Sequence, residues 1–241
     1  MKNILITGVS RGLGLEITKI LVENGYVIWG LSRSFSDELL ELKDKYKDLI
    51  KLKKYDLTDT DNIKNIMIKD FITLDIPIYG FVNNAAIAYD DLITNLNLNE
   101  LEKMFRVNVF TPMLITKYVI RNMLYNKIKG SIVHISSISV HTGYKGLAMY
   151  AATKGALEAF SKNTAREWGN KAIRSNCIVA GFMETDMSSK LSDEQRIRIY
   201  ERTSLKKATS IRSVAETVKF LLDGGSISIT GQNIFVDSGT I

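Results

Sequence analysis

The sequence predicts an α/β protein: a single domain built on a doubly wound parallel sheet of about seven strands with helices on both faces. Three observations lead there. Short apolar runs alternate with longer amphipathic segments from the first residue almost to the last, the pattern of repeated βα units. No linker, repeat or low-complexity tract interrupts that alternation, and proline occurs only at Pro77 and Pro112. At 241 residues, 45% hydrophobic and 24% charged, the chain has the length and balance of one α/β domain.

The elements follow in order. The apolar run at 3–7 is the first strand, and the amphipathic stretch at 13–24 the helix that leaves it. A strand at 26–31 and a helix at 36–46 repeat the unit, then a strand at 50–55 and a helix at 60–74. Strands at 78–82 and 131–135 flank the longest helical segment, 99–125. A helix at 149–168 separates the latter strand from the one at 173–179, and a helix at 211–222 precedes the closing strand at 232–236. Right-handed crossovers between parallel strands place helices on both faces. The longest irregular stretch, from Ala180 to about Ser192, is followed by charged, helix-compatible sequence through Arg202; such segments often serve as a lid or binding loop.

Bulk properties narrow the function classes. The N-terminal apolar run lacks the length and cleavage site of a secretory signal, and no stretch approaches the roughly 20 apolar residues of a membrane helix. The single cysteine, Cys177, excludes an internal disulfide and suits a reducing cytoplasm; its apolar neighbours mark it as a core residue rather than a nucleophile. The net charge of +6 is spread, with Lys43, Lys45, Lys47, Lys51, Lys53 and Lys54 interleaved with Asp44 and Asp48. That is the pattern of solvated surface, so no nucleic-acid partner is expected, only a mild attraction for anionic substrates.

The first strand runs directly into Gly8-Val9-Ser10-Arg11-Gly12-Leu13-Gly14 and then a helix. Strand, glycine turn and helix together put backbone N–H groups and a helix N-terminus where a pyrophosphate can sit; the bland alternative is a tight turn without ligand. With Thr7 in front, the segment resembles the T-G-x-x-x-G-x-G turn of the short-chain dehydrogenase/reductase family, which implies a Rossmann fold and a nicotinamide dinucleotide. An acidic residue ending the second strand would select NAD. The strand instead ends Gly30-Leu31-Ser32-Arg33, and Arg11 lies in the turn, so two guanidinium groups could meet a 2′-phosphate, unless both are simply solvated. By resemblance, Ser32, Arg33 and Arg11 form an NADP(H) site, preferred over NAD(H), and Asp56 before Leu57 matches the family's adenine-contacting acid.

Tyr150 and Lys154 share a helical face, one turn apart. A phenol with a pKa of about 10 is a poor acid near neutrality, and an adjacent ammonium is expected to lower it into range. Alone, the pair could equally be an ordinary helix-surface pair. The resemblance extends it: Ser137, thirteen residues before Tyr150, matches the family's substrate-orienting serine. Asn108, mid-helix where an amide has little structural merit, matches the asparagine that holds a proton-relay water. Lys154 would also bind the nicotinamide ribose.

Asn83-Asn84-Ala85-Ala86 resembles the family's N-N-A-G segment, with Ala86 in place of glycine. Gly181-Phe182-Met183-Glu184-Thr185 resembles P-G-x-x-x-T, with Thr185 toward the nicotinamide carboxamide. Ser10, Leu13, Leu57, Ala85, Gly181 and Met183 join the implied cofactor contacts. Ile229-Thr230-Gly231-Gln232 and Val236-Asp237-Ser238-Gly239 resemble the closing strand, and His134 and His141 read as structural or surface residues.

Within the family the sequence most resembles bacterial 3-oxoacyl-acyl carrier protein reductases, through Gly181 to Met187 and Ile229 to Gln232, while Lys206-Lys207-Ala208-Thr209 departs from them. That resemblance implies an acyl-thioester substrate and an acidic carrier protein, with Lys127, Lys129 and Lys171 as docking charges or plain solvated residues. The alternatives are a reductase of a sugar or other small ketone, and a non-catalytic dinucleotide sensor on the same fold. The family also implies a dimer or tetramer formed through the helices at 99–125 and 149–168, where Ala151, Ala152, Ala156 and Ala159 permit close packing.

Overall fold

The computed structural model describes residues 1–185 and 191–241. Among them, seven parallel strands form one sheet: β1 (Asn3–Thr7), β2 (Val27–Ser32), β3 (Ile50–Lys54), β4 (Ile78–Asn83), β5 (Ser131–Ser137), β6 (Arg174–Ala180) and β7 (Asn233–Val236). Their spatial order is β3-β2-β1-β4-β5-β6-β7. The chain builds outward from β1 to β3, then returns to lay β4 against the other side of β1. Ligands of such sheets bind at this reversal, beyond the carboxyl ends of the strands.

Alternate residues of β1 face opposite layers, as the two-residue strand period requires. Ile4 and Ile6 join one apolar layer with Ile17 and Leu21 of α1 (Gly12–Glu23) and with Val214, Val218 and Leu222 of α9 (Ile211–Leu222). Leu5 turns to the other, against Phe81, Ile132 and, from α5 (Thr111–Tyr125), Ile115, Val119 and Met123. No helix of the described residues is long and apolar enough to cross a membrane.

Two helices differ from expectation. The one predicted at 60–74 is shorter: α3 (Ile63–Asn65) passes into a single π turn, Ile66–Asp70, and stops. Asn122 of α5 explains the stop, because its side chain donates to Ile76 O at 2.9 Å and accepts from Ile78 N at 2.8 Å, holding the approach to β4 extended. The segment at 99–125 is interrupted: α4 (Leu98–Phe105), a π turn at Arg106–Phe110 and then α5. Such turns often mark functional positions, and Asn108 sits in this one. The remaining helices are α2 (Asp37–Tyr46), α6 (Ser139–Thr142), α7 (Ala148–Trp168) and α8 (Asp193–Glu201).

Candidate active site

At the carboxyl end of β1, Gly8 takes φ +75, in the left-handed region that favours glycine, and a Cβ there would lie 3.0 Å from Asn84 Nδ2 and from the Ala85 backbone. Gly14 lets α1 press against the turn: a Cβ on it would lie 1.9 Å from Gly8 O. Thr7 and Asn84 complete the floor. Thr7 Oγ1 accepts from the N–H groups of Asn84 (3.2 Å) and Ala85 (3.1 Å), and Asn84 Nδ2 donates to the carbonyls of Thr7 and Gly8, each at 3.1 Å. The loop after β4 is thus stapled to the glycine turn across the sheet reversal. Ala86, where the family motif has glycine, stays out of the left-handed region.

Arg11 stands at the N-cap of α1 with an extended backbone and no side-chain cap on the helix N-terminus. Leu13, by contrast, is buried in the core behind the turn. Ser10 ties the turn to α2: Ser36 N–H donates to its Oγ at 3.0 Å, and the Ser36 hydroxyl donates to its carbonyl. At the end of β2, Ser32 is half-buried and Arg33 exposed. Across from them, Asp56 accepts from Thr58 N–H and Oγ1–H, both at 2.9 Å; those bonds, with Arg33 nearby, hold its carboxyl below the usual range. Next to it, Leu57 is buried and its carbonyl accepts from Thr111 at 2.6 Å, fixing the loop to α5. An uncapped helix N-terminus, a glycine turn and two arginines nearby fit a dinucleotide phosphate.

Asn108 is buried, with both amide hydrogens and one oxygen lone pair engaged by protein. Its Oδ1 accepts from Ile87 N–H at 2.9 Å, and its Nδ2 donates to Ile87 O at 2.8 Å and to Thr153 Oγ1 at 3.1 Å. The amide therefore has a structural task that sequence reasoning denied it: clamping the loop after β4 to α7.

Tyr150 and Lys154 lie one turn apart on α7, with the Lys154 ammonium 5.6 Å from the phenol ring centre. Lys154 is 2% exposed and donates to Ile135 O of β5 at 2.8 Å. Burial pushes its pKa down to about 8. The expected lowering of the Tyr150 phenol is not found. Burial, with the Asp90 carboxylate nearby, pushes the phenol above its ordinary 10, because removal of water and a neighbouring negative charge both disfavour phenolate. Ser137, half-buried at the end of β5, accepts from Ser139 N–H at 3.2 Å. Tyr150, Lys154, Ser137 and Asn108 thus all sit around the carboxyl ends of β4 and β5.

After β6, Gly181 N–H donates to Val236 O at 2.9 Å, Met183 packs against the core, and a Cβ on Gly12 would sit 3.7 Å from Thr185 Cγ2, which places Thr185 beside the glycine turn. Asp186 and Met187, part of the same motif, lie outside the described residues, so the expected lid is described only in part. Within it, Ser192 and Gln195 form a capping box on α8, and Glu184 accepts from Tyr200 of that helix.

The expected docking lysines are misplaced for a role beside this site. Lys127 and Lys129 precede β5 and Lys171 precedes β6, so all three lie at the amino edge of the sheet, about 20 Å from its carboxyl edge. Sequence reasoning also missed Glu158, a buried carboxylate on α7 that accepts from Ser136 and from Asn233 and meets His141. Its spacing from Lys154, one further helical turn, was the available signal. His134 is fully buried in β5, consistent with a structural role.

A family model described as enoyl-(acyl carrier protein) reductase matches residues 8–240. The 3-oxoacyl-(acyl-carrier-protein) reductase FabG of Chlamydia pneumoniae is 32% identical over 240 residues, covering 99% of this chain and 96% of that protein. The L-xylulose reductase of Caenorhabditis elegans is 32% identical over 244 residues, covering 99% and 95%. Two solved structures are similar throughout. A 4-hydroxyisoleucine dehydrogenase complexed with NADH has a TM-score of 0.92 at 25% identity, covering 100% of this chain and 98% of that one. ElxO with NADP bound has a TM-score of 0.88 at 28% identity, covering 99% and 98%.

Proposed function

Since the chain belongs to the short-chain dehydrogenase/reductase family and is an oxidoreductase of alcohol and carbonyl groups, we propose that it reduces the ketone of a 3-oxoacyl thioester, using NADPH. The observation that carries the catalytic part is the buried Lys154 beside Tyr150. A buried ammonium is costly unless its donors are used, and among the described residues Lys154 spends one of its three N–H donors, on Ile135. The other two would hold ribose hydroxyls.

When bound, the reduced nicotinamide supplies hydride to the carbonyl carbon. Tyr150, held protonated by its raised pKa, donates its proton to the carbonyl oxygen, and the Lys154 ammonium stabilises the phenolate that develops. Ser137 orients the carbonyl from the end of β5. Asn108, through its one remaining lone pair, supports the water that returns a proton to the site. The turn at Gly8, Gly12 and Gly14 receives the pyrophosphate, and Arg11, Ser32 and Arg33 the 2′-phosphate; no acid closes β2 to repel it. Asp56, Leu57, Asn84, Ala85, Ala86, Gly181, Met183 and Thr185 line the remaining length.

The thioester assignment draws on the similar 3-oxoacyl reductases. A second reading, a small polyhydroxy ketone, is favoured by the equal identity to L-xylulose reductase and by the lysines' place on the far edge. NADPH oxidation with acetoacetyl thioesters, sugars and simple ketones, with NADH as control, separates the two. Fastest turnover of the thioesters supports the first reading and fastest turnover of a sugar the second. Tyr150→Phe tests the site itself: NADPH binding persists while turnover falls about 10²- to 10⁴-fold. Self-association through α5 and α7 belongs to the same proposal, with Ala152 and Ala159 exposed on α7, and a monomer in sedimentation would contradict it.

A further inference from the structure

We propose that Glu158 is a positioning residue that sets the place of Ser137 against the Tyr150–Lys154 face. The inference rests on the reading of the site just given. Glu158 follows Lys154 by one turn of α7 and is 8% exposed. A carboxylate so buried is tolerated only when its lone pairs are filled, and three groups fill them. Ser136 Oγ–H donates to Oε1, Asn233 Nδ2 of β7 donates to Oε2 at 2.7 Å, and His141 Nε2 lies 3.0 Å from Oε2. The His141 ring is further held edge-on by Phe235 of β7, 4.9 Å between ring centres.

Two of those partners bracket Ser137 in sequence. Ser136 precedes it at the end of β5, and His141 follows it in α6, so one carboxylate grips the chain on both sides of the hydroxyl that would orient substrate. Lys154 and Glu158 also fasten successive turns of α7 to successive residues of β5, through Ile135 O and Ser136 Oγ. One such tie would fix where helix and strand meet yet leave them free to pivot. Two, about 6 Å apart along the helix, fix their mutual rotation as well. Ser161 pairs with Ser175 farther along α7, which holds the helix to β6 but does not touch the segment carrying Ser137.

The test uses the whole purified chain, NADPH and the fastest-reduced compound of the panel above, with Tyr150→Phe alongside. Glu158→Ala is expected to lower kcat about 10- to 100-fold while KM for NADPH changes less than about twofold, as a misplaced orienting group should. Glu158→Gln, which keeps an acceptor for Ser136, restores most of the loss. Ser136→Ala lowers kcat alone but adds nothing to Glu158→Ala, because its partner is already gone. Thermal melting places every assay below unfolding; if Glu158→Ala does not fold, Ser136→Ala and Glu158→Gln carry the comparison. Unchanged kcat in the Glu158 and Ser136 variants beside an inactive Tyr150→Phe overturns the positioning role, as do strictly additive losses. An active Tyr150→Phe instead overturns the site reading beneath it.

Discussion

Replacing Gly14 by alanine puts the glycine turn to its most direct test. The added Cβ would lie 1.9 Å from Gly8 O, 2.8 Å from Gly8 C and 2.7 Å from Asn84 Nδ2. Two of these three are backbone, so no side-chain rotation relieves the clash. Turn and helix must part by about 1.1 Å merely to reach a 3.0 Å separation. That displacement loads the bonds from Gly8 N to Leu31 O and from Asn84 Nδ2 to Gly8 O, each contributing about 1 kcal/mol. Overpacking adds about 1–3 kcal/mol, for a loss of roughly 3–5 kcal/mol. In a chain of this size the melting temperature should fall by roughly 10 °C. NADPH titration of the folded fraction should show weakened binding, since the amides that would receive the pyrophosphate are the ones displaced. A variant that melts and binds NADPH like the parent would refute the close approach of α1 to β1 and the role given to the turn.

Three further outcomes are expected. Arg33→Ala should raise the KM for NADPH about 10- to 100-fold, the value of a charge-assisted contact, and leave that for NADH nearly unchanged; equal effects on both would remove Arg33 from the phosphate site. Because burial depresses Lys154 to about 8 while Tyr150 is shifted upward, the ammonium is the form present below pH 8 and is lost as pH rises through it; ketone reduction should therefore decline with a midpoint near 8, and a flat profile to pH 10 would contradict the role of Lys154. Burial pushes the Cys177 thiol up to about 12, so iodoacetamide should leave the native protein unlabelled and modify it once in denaturant, which mass spectrometry reads directly.

Most of the sheet was legible because parallel strands covered on both faces are short continuous apolar runs, and each of the seven has its ends within two residues of the expected ones. The glycine turn was legible for a related reason: the left-handed backbone of Gly8 and the approach of Gly14 to Gly8 O are local demands that show in sequence. What escaped notice depended on partners distant in the chain. The early end of the helix after Ile63 is imposed by Asn122, forty-four residues beyond Ile78. Asn108 looked wasteful in a helix because Ile87, its partner, cannot be seen from its neighbours. The shift of the Tyr150 phenol was assigned the wrong direction since a sequence shows a neighbouring charge but not the removal of water. Glu158 was missed, because only the meeting of β5, α6, α7 and β7 gives its charge a purpose.

The staple joining Thr7 to Asn84 spans 77 positions of chain. A nascent polypeptide that has emerged only through its third strand possesses every glycine of the nucleotide turn, yet lacks the residues that keep that turn in shape. Dinucleotide capture at this turn would therefore be a property of the closed central sheet rather than of its first βα unit. During synthesis or refolding, the onset of NADPH fluorescence enhancement would report the arrival of the fourth strand.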